Sequence, residues 1–402
     1  MNVLCAASPV ADDVGDLIRD CRNALETRFA GLDAVLVGAP RNARGWFDLL
    51  AGFPEAAAHV AVLARMKAAL AADSARWPPC AVEQFALLQA FSAAAGLLPE
   101  LPVEVSVKRL FCALGRQVAA PPADWEPQFD LAGGPFMEIA KLASLQRFPA
   151  GQLVFNFITL PRSWLLKVHP LDLPATLGEI VFGLGGFGPF AAPHLNHWRA
   201  NPLLLLPTEN ERSLWRIAKS IELQPRVRGL MADGWFYSPQ VGTLFPHLAW
   251  LRAFFVDNGG HIVDLEAAAP GSGFMVGSAK RRKLYERGAY QPRRTLVLWR
   301  REHMLAWAAS RPELGEDGDP PARRPRRAAS VPATAGRRRR KPLFDAVPFL
   351  NRHPKVYVLA TLVLPSLAAS IAAGVLLSAW AALPALAATF VAMWLVQYFL
   401  FQ

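Results

Sequence analysis

Between Val356 and Phe401 the chain carries no charged side chain. A helix crosses the hydrocarbon core of a bilayer in about 20 residues, so a run of this length predicts two crossings joined by a tight turn. The same composition inside a soluble protein needs two all-round apolar helices packed in series. Uninterrupted apolar length favours the bilayer, where each backbone group is satisfied within its own helix. Pro365 kinks the first crossing without ending it, and Pro384 opens the second after a turn beginning near Trp380. Ala369, Ser370, Ala372, Ala373 and Gly374 let two helices approach closely. Tyr357, Trp380, Trp394 and Tyr398 suit the interfaces. A single tilted crossing with an interfacial tail also fits.

The positive residues beside this run lie on its N-terminal side: Arg337, Arg338, Arg339, Arg340, Lys341, Arg352 and Lys355. That asymmetry predicts a cytoplasmic body and C-terminus. Of the formal net charge of +11, a surplus of +6 sits in residues 311–341, with ten basic and four acidic residues. This Pro- and Arg-rich stretch cannot bury a core and reads as a disordered linker. Its partner is expected to be anionic lipid headgroups, which abut it. Nucleic acid is disfavoured, since no aromatic residues are interleaved to stack bases. A plain solvated spacer remains open. Met1–Val14 has Asp12 and Asp13 and no basic start followed by an apolar stretch, so no signal peptide is expected there. Cys5, Cys21, Cys80 and Cys112 lack metal-ligand spacing and read as reduced, mostly buried thiols.

Four regions follow: a helical N-terminal region over 1–140, an α/β domain over 151–310, the basic linker over 311–355 and the transmembrane hairpin over 356–401. In the first, Val14, Leu17, Ile18, Cys21 and Leu25 recur at helix spacing. Residues 81–95 and 105–118 are further helices, and Pro54 suits the first position of another. In the second, 153–160 and 163–169 read as a β-hairpin, followed by a helix near 175–182 and a Gly-rich loop running to 203. Strands at 203–206, 227–232, 261–265 and 295–299 then alternate with helices at 209–223, 244–257, 278–286 and 302–309. Thr208 with Glu211 forms a capping box at the first of those helices. Such alternation predicts a mainly parallel or mixed α/β sheet.

Four constellations could carry chemistry. Gly183, Gly185 and Gly188 satisfy G-x-G-x-x-G, but a helix precedes and Pro189 follows, so the stretch reads as a flexible turn rather than a dinucleotide site. His194 and His197 are three apart with no third metal ligand identifiable, which favours two surface histidines. Residues 270–282, PGSGFMVGSAKRR, place Gly271, Gly273 and Gly277 before a helix capped by Ser278, with Lys280, Arg281 and Arg282 in its first turn. Cations there oppose the helix dipole, a local cost that a bound anion would relieve. A mobile loop with a solvated basic face is the competing reading. In MADGWFYSPQ, residues 231–240, Asp233 lies at the carboxyl end of a strand, where ligands gather in open α/β sheets. Asp233 or Glu266 could serve as general base and Tyr237 as proton donor. The alternative makes Asp233–Gly234 a turn and its aromatic neighbours core.

From the hairpin onward, over about half the chain, the order of elements resembles the GNAT acetyltransferases. Those enzymes hold an acyl-CoA pyrophosphate at a Q/R-x-x-G-x-G/A turn; the corresponding turn here, Pro207–Arg212, reads PTENER and has no glycine. The expectation is therefore a membrane-anchored group transferase using an anionic, acyl-CoA-like ligand. Its rival is a non-catalytic scaffold or adaptor that brings a partner to the membrane.

Overall fold

The stripe of Val14, Leu17 and Cys21 is buried on one face of helix α1 (Ala11–Arg28), as its 3.6-residue spacing requires. The computed structural model describes residues 10–36, 38–52, 57–71, 77–122, 125, 129–131, 134–169, 171–196, 206–267 and 278–315. The linker beyond 315 and the whole uncharged run lie outside them. The chain is a mixed α/β protein whose described strands form one six-stranded sheet. They are β1 (Phe148–Pro149), β2 (Leu153–Ile158), β3 (Phe190–Leu195), β4 (Gly229–Gly234), β5 (His261–Ala267) and β6 (Arg293–Arg300). Their sheet order is β1-β2-β3-β4-β6-β5. Two compact units divide the chain, one of residues 1–157, 191–227 and 305–317, the other of 158–190, 228–304 and 318–402.

The first unit is built around one apolar helix. Its helices are α1, α2 (Leu32–Val35), α3 (Ala43–Ala51), α4 (Ala57–Ala71), α5 (Ala81–Leu97), α6 (Val105–Ala119) and α7 (Gly134–Ala143). Helix α5 is apolar on every side and packs against α1, α3, α6 and α7. Together with its following turn it makes Ala81–Glu100, the one stretch among the described residues long and apolar enough to cross a membrane. It is mostly buried in this core instead. Trp46 meets Phe85 edge-on at 5.4 Å, and Phe91 lies 5.0 Å from Phe111. Gly115 allows α6 to close on Leu17 and Phe91, where a Cβ would collide. Burial pushes the Cys21 and Cys112 thiols up to about 12, so both are neutral and unreactive at neutral pH.

Polar side chains pin the rest of this unit. The short antiparallel pair of β1 and β2 aligns Phe148 with Phe155. Its turn passes through Gly151 at φ 115°, a left-handed conformation that favours glycine. Asn196 Nδ2 donates to the Gly151 carbonyl at 2.9 Å, and the Gln152 amide donates to Ser213 Oγ at 3.0 Å. Ser213 belongs to α9 (Pro207–Glu222), the ninth helix in chain order.

The second unit places three strands between two layers. Strand β6 runs antiparallel to both β4 and β5, so β4 and β5 point the same way with β6 between them. Between β4 and β5 the chain forms α10 (Pro239–Leu244) and α11 (Ala249–Asp257). On one face Met231, Val263, Leu265, Leu296 and Leu298 pack with Leu160, Leu165, Ile180 and Leu184. That layer contains α8 (Leu173–Gly178), which continues as a π-helical turn through Gly183. On the other face Trp299 meets Phe255 of α11 edge-on at 5.5 Å. Helix α12 (Ala279–Glu286) precedes β6, and α13 (Arg301–Ala309) follows it.

Several expectations change. Strand β6 pairs antiparallel with both β4 and β5, because the helical crossover sets only the direction of β4 and β5 and the next strand fills the gap between them. Residues 163–169 are no strand: Pro161 leads into a 3-10 helix, Arg162–Lys167, which turns Leu165 into the core. The presumed loop after Pro189 contains strand β3, which its two prolines hid from the pattern. Helix α9 starts on Pro207 at its first turn with no side-chain cap, so the Thr208–Glu211 box is not used. The expected 244–257 helix is shorter: Leu244 ends α10, Pro246 opens a 3-10 turn, Pro246–Leu248, and α11 fills the remainder. The proposed strand at 203–206 lies almost wholly outside the described residues, as does Pro54.

Candidate functional site

Strand β4 ends in a turn that gathers aromatic rings. After Gly234 the chain makes a 3-10 turn, Trp235–Tyr237, and Pro239 then opens α10. Trp235 contacts Phe245 at 5.9 Å, and Phe245 contacts Tyr290 at 5.9 Å. Two cations from α12 lie on these rings. The Arg281 guanidinium sits 4.3 Å above Trp235, and the Lys280 ammonium lies 5.2 Å from the Phe245 centroid. Both are placed by a good cap: Ser278 Oγ accepts from the Arg281 amide at 3.4 Å. Arg281 is only 7 % exposed. Burial lowers its proton affinity, and Tyr290 opposes that shift.

Two hydroxyls in this cluster, Ser238 Oγ and Tyr290 Oη, are buried and have no hydrogen-bond partner among the described residues. Burial pushes the Tyr290 phenol up to about 12, with Arg281 pulling the other way. It is therefore a neutral donor at physiological pH. A buried polar group left unmade costs about 1–3 kcal/mol, so an arriving acceptor oxygen would be favoured there. Cations on ring faces together with neutral hydroxyl donors form a set suited to a phosphate or carboxylate. Ser278, Lys280 and Arg281 thus fall together as the sequence suggested, and Arg282 stands in the same first turn of α12. Gly271, Gly273 and Gly277 lie outside the described residues.

The proposed acid–base residues have other neighbours. Asp233 Oδ2 accepts from Arg294 Nε at 2.6 Å, and that guanidinium stacks 4.4 Å from Trp164. Tyr237 is buried, its ring edge-on to Phe255 at 5.5 Å. Its carbonyl accepts from Arg252 Nη1 at 2.8 Å. Burial first, and the Asp233 charge second, raise its hydroxyl well above the ordinary tyrosine range. Glu266 is on β5, with its side chain outside the described set. His194 is 3.0 Å from Asn156 Oδ1, and His197 lies outside the described residues. Among the described residues no group of three could hold a metal ion. Gly183–Gly188 leads into β3 and not into a helix.

Sequence reasoning set Ser238 beside Asp233 and Tyr237 after the strand but passed over Tyr290, Arg294 and Trp164. Arg294 reaches Asp233 only through the pairing of β4 with β6, in which Asp233 stands opposite Leu296. Tyr290 carries no pattern of its own. A third constellation was also unseen: Arg300 grips Glu179 with Nε at 2.7 Å and Nη2 at 2.5 Å. The Arg300 contact holds the Glu179 carboxyl below its ordinary value.

No family model matches the sequence, and no curated protein matches it. Among solved structures, the chain has a loose likeness to an acyltransferase in complex with CoA and 10C-teicoplanin. That match has 14 % identity, covers 72 % of this chain and 94 % of the other, and has a TM-score of 0.38. A mutant acyltransferase in complex with octanoyl-CoA matches at 14 % identity over 74 % of this chain and 91 % of its own, with a TM-score of 0.36. Likeness of this size carries no argument about chemistry, and the site's own residues bear the functional reading.

Proposed function

We propose that this protein is a membrane-tethered group transferase that takes an anionic, acyl-CoA-like donor at the head of α12. The observation that carries the reading is the pairing of Arg281 and Lys280 on the Trp235 and Phe245 rings with the buried, partnerless hydroxyls of Ser238 and Tyr290. Arg281 and Lys280 hold the phosphate groups, Tyr290 and Ser238 donate to their oxygens, and the rings exclude water. The glycines Gly271, Gly273 and Gly277 allow close backbone approach from the preceding segment. Asp233, Tyr237 and Glu266 are the proposed acid–base residues. The uncharged run anchors the body to a membrane, and the basic linker rests on its anionic headgroups.

Titration of CoA into the full chain tests the site. Replacing Arg281 by Ala or Ser238 by Ala is expected to weaken binding about tenfold or more, equivalent to about 1.4 kcal/mol. Unchanged affinity in a folded Arg281→Ala chain overturns the reading. The Arg294 contact to Asp233 and the burial of Tyr237 favour a second reading, a binding module without chemistry. Incubation with octanoyl-CoA and a thiol reagent separates the two. With an added amine or alcohol, or with water, as acceptor, acyl transfer forms the new amide, ester or acid, breaks the thioester and passes the acceptor's proton to the CoA thiol, whereas a binding module retains intact octanoyl-CoA.

A further inference from the structure

We propose that the outer face of the α8 layer is a second membrane contact, one that seats the folded body on the lipid surface. Helix α8 and its π-turn are apolar on both sides. The inner side, with Ile180 and Leu184, fills the core beneath the sheet. The outer side carries Leu171 at 64 %, Val181 at 47 % and Phe182 at 88 % exposure. Leu171, Pro174, Ala175, Gly178 and Phe182 fall at helical spacing, one stripe down the solvent side. A Cβ built at Gly178 meets nothing within 4 Å, so the stripe is open there. Of the two acids in the segment, Glu179 is turned onto Arg300 and Asp172 stands exposed at the N-cap of α8.

Cations rim this apolar stripe. Arg228 is exposed and lies against Gly185, and Arg162 stacks 5.7 Å from Phe187, while Arg300, against Gly183, is neutralised by Glu179. An apolar ridge edged by guanidinium groups matches a bilayer whose acyl region is reached through anionic headgroups. Two observations commit the surface to lipid rather than to a second protein. The rim is positive, and the same chain carries 46 consecutive uncharged residues after its basic linker. Burying Phe182 and Val181 in the interface then fixes which side of the second unit faces the membrane. The orienting argument rests on the tether proposed above; the patch and its lipid chemistry stand on the α8 layer alone.

The test uses the full chain with Cys5 replaced by Ser, since Cys21, Cys80 and Cys112 are buried. A nitroxide is attached at Phe182→Cys, and in a control chain at Val256→Cys, which is 52 % exposed on α11. Each chain is mixed with vesicles of phosphatidylcholine and phosphatidylserine in equal parts and read before any wash. The label at 182 is expected to be reached by oxygen and shielded several-fold from a water-soluble nickel complex relative to the label at 256. Equal nickel access at both positions overturns the proposal. Shielding at 182 from both reagents also overturns it, because protein then covers the face. A carbonate wash afterwards reports on the tether separately: release of the chain there rejects the hairpin while leaving the pre-wash reading of the patch intact.

Discussion

The two units bury charge toward different ends. In the first, cations end on oxygens supplied by the fold. Lys67 reaches Glu83 at 2.5 Å, Lys108 donates to the Pro99 carbonyl at 2.7 Å, and Arg216 donates to the Ala150 carbonyl at 3.1 Å. In the second, Arg281 and Lys280 lie over the rings of Trp235 and Phe245, and Arg294 does both, lying over Trp164 while it donates to Asp233. A ring face holds a cation while using little of its hydrogen-bonding capacity. Charge spent on an internal carboxylate fixes a fold, whereas charge parked on an aromatic surface is positioned for something that arrives.

The strongest way to break this contrast is at Lys67. Its partner Glu83 is 0 % exposed on α5, with the second carboxylate oxygen unpartnered. Lys67→Met removes the cation and leaves a buried carboxylate, expected to cost about 3 kcal/mol, toward the low end because the lysine itself is partly exposed. Adding Glu83→Leu should restore most of that loss, since an apolar replacement of a buried pair is often neutral. Pulse proteolysis of full-length variants in urea measures both. A single variant within about 0.5 kcal/mol of the parent would mean that the first unit's charges hold nothing together.

Glu179 sharpens the contrast from inside the second unit, since it is a spent charge placed among the parked ones. Glu179→Gln loses the fork with Arg300, at a cost of about 2 kcal/mol at neutral pH. Its carboxyl is held below the usual 4.5 in the folded chain, first by the Arg300 hydrogen bond. A depressed carboxylate contributes fully above its unfolded value and loses that contribution as pH falls through the folded one. The stability difference between parent and variant is therefore expected to be constant above pH 4.5 and to close below it. Thermal unfolding across that window decides the point; a difference that grows toward acid would reverse the sign assigned to the pair.

How much of this was legible in the sequence follows from how local each signal is. Helices α1, α5 and α6 were readable because their apolar spacing is long and uninterrupted, and β5 and β6 because β-branched and aromatic residues sit between clear turn signals. Strand β3 was lost to Pro189 and Pro193, and the antiparallel insertion of β6 was lost because pairing is decided by contacts far apart in sequence. The candidate anion site was half legible. Ser278, Lys280, Arg281 and Arg282 stand together in the chain, and a cap followed by cations is a local pattern. Tyr290 follows the end of α12 by four residues but has no motif, and Ser238 joins only through the turn after β4, about forty residues from α12 along the chain. The same long-range geometry gave Asp233 its Arg294 neighbour.

Arg281→Lys is the finest test, because it keeps the charge and changes only its shape. Lysine can still reach the face of Trp235, and the cation–ring contact is worth about 0.5–2 kcal/mol in either form, so stability is expected to move by less than about 1 kcal/mol. The planar fork, however, cannot be reproduced by an ammonium group. A phosphate held by two parallel N–H donors loses one of them, and affinity for CoA is expected to fall about tenfold. The two readouts must then separate, with an unfolding midpoint close to the parent beside a weaker titration. If both stay at parental values, Arg281 acts as a point charge and the geometry of the ligand is set by Tyr290 and Ser238. If both fall together, the guanidinium serves packing, and the second unit spends its buried charge as the first one does.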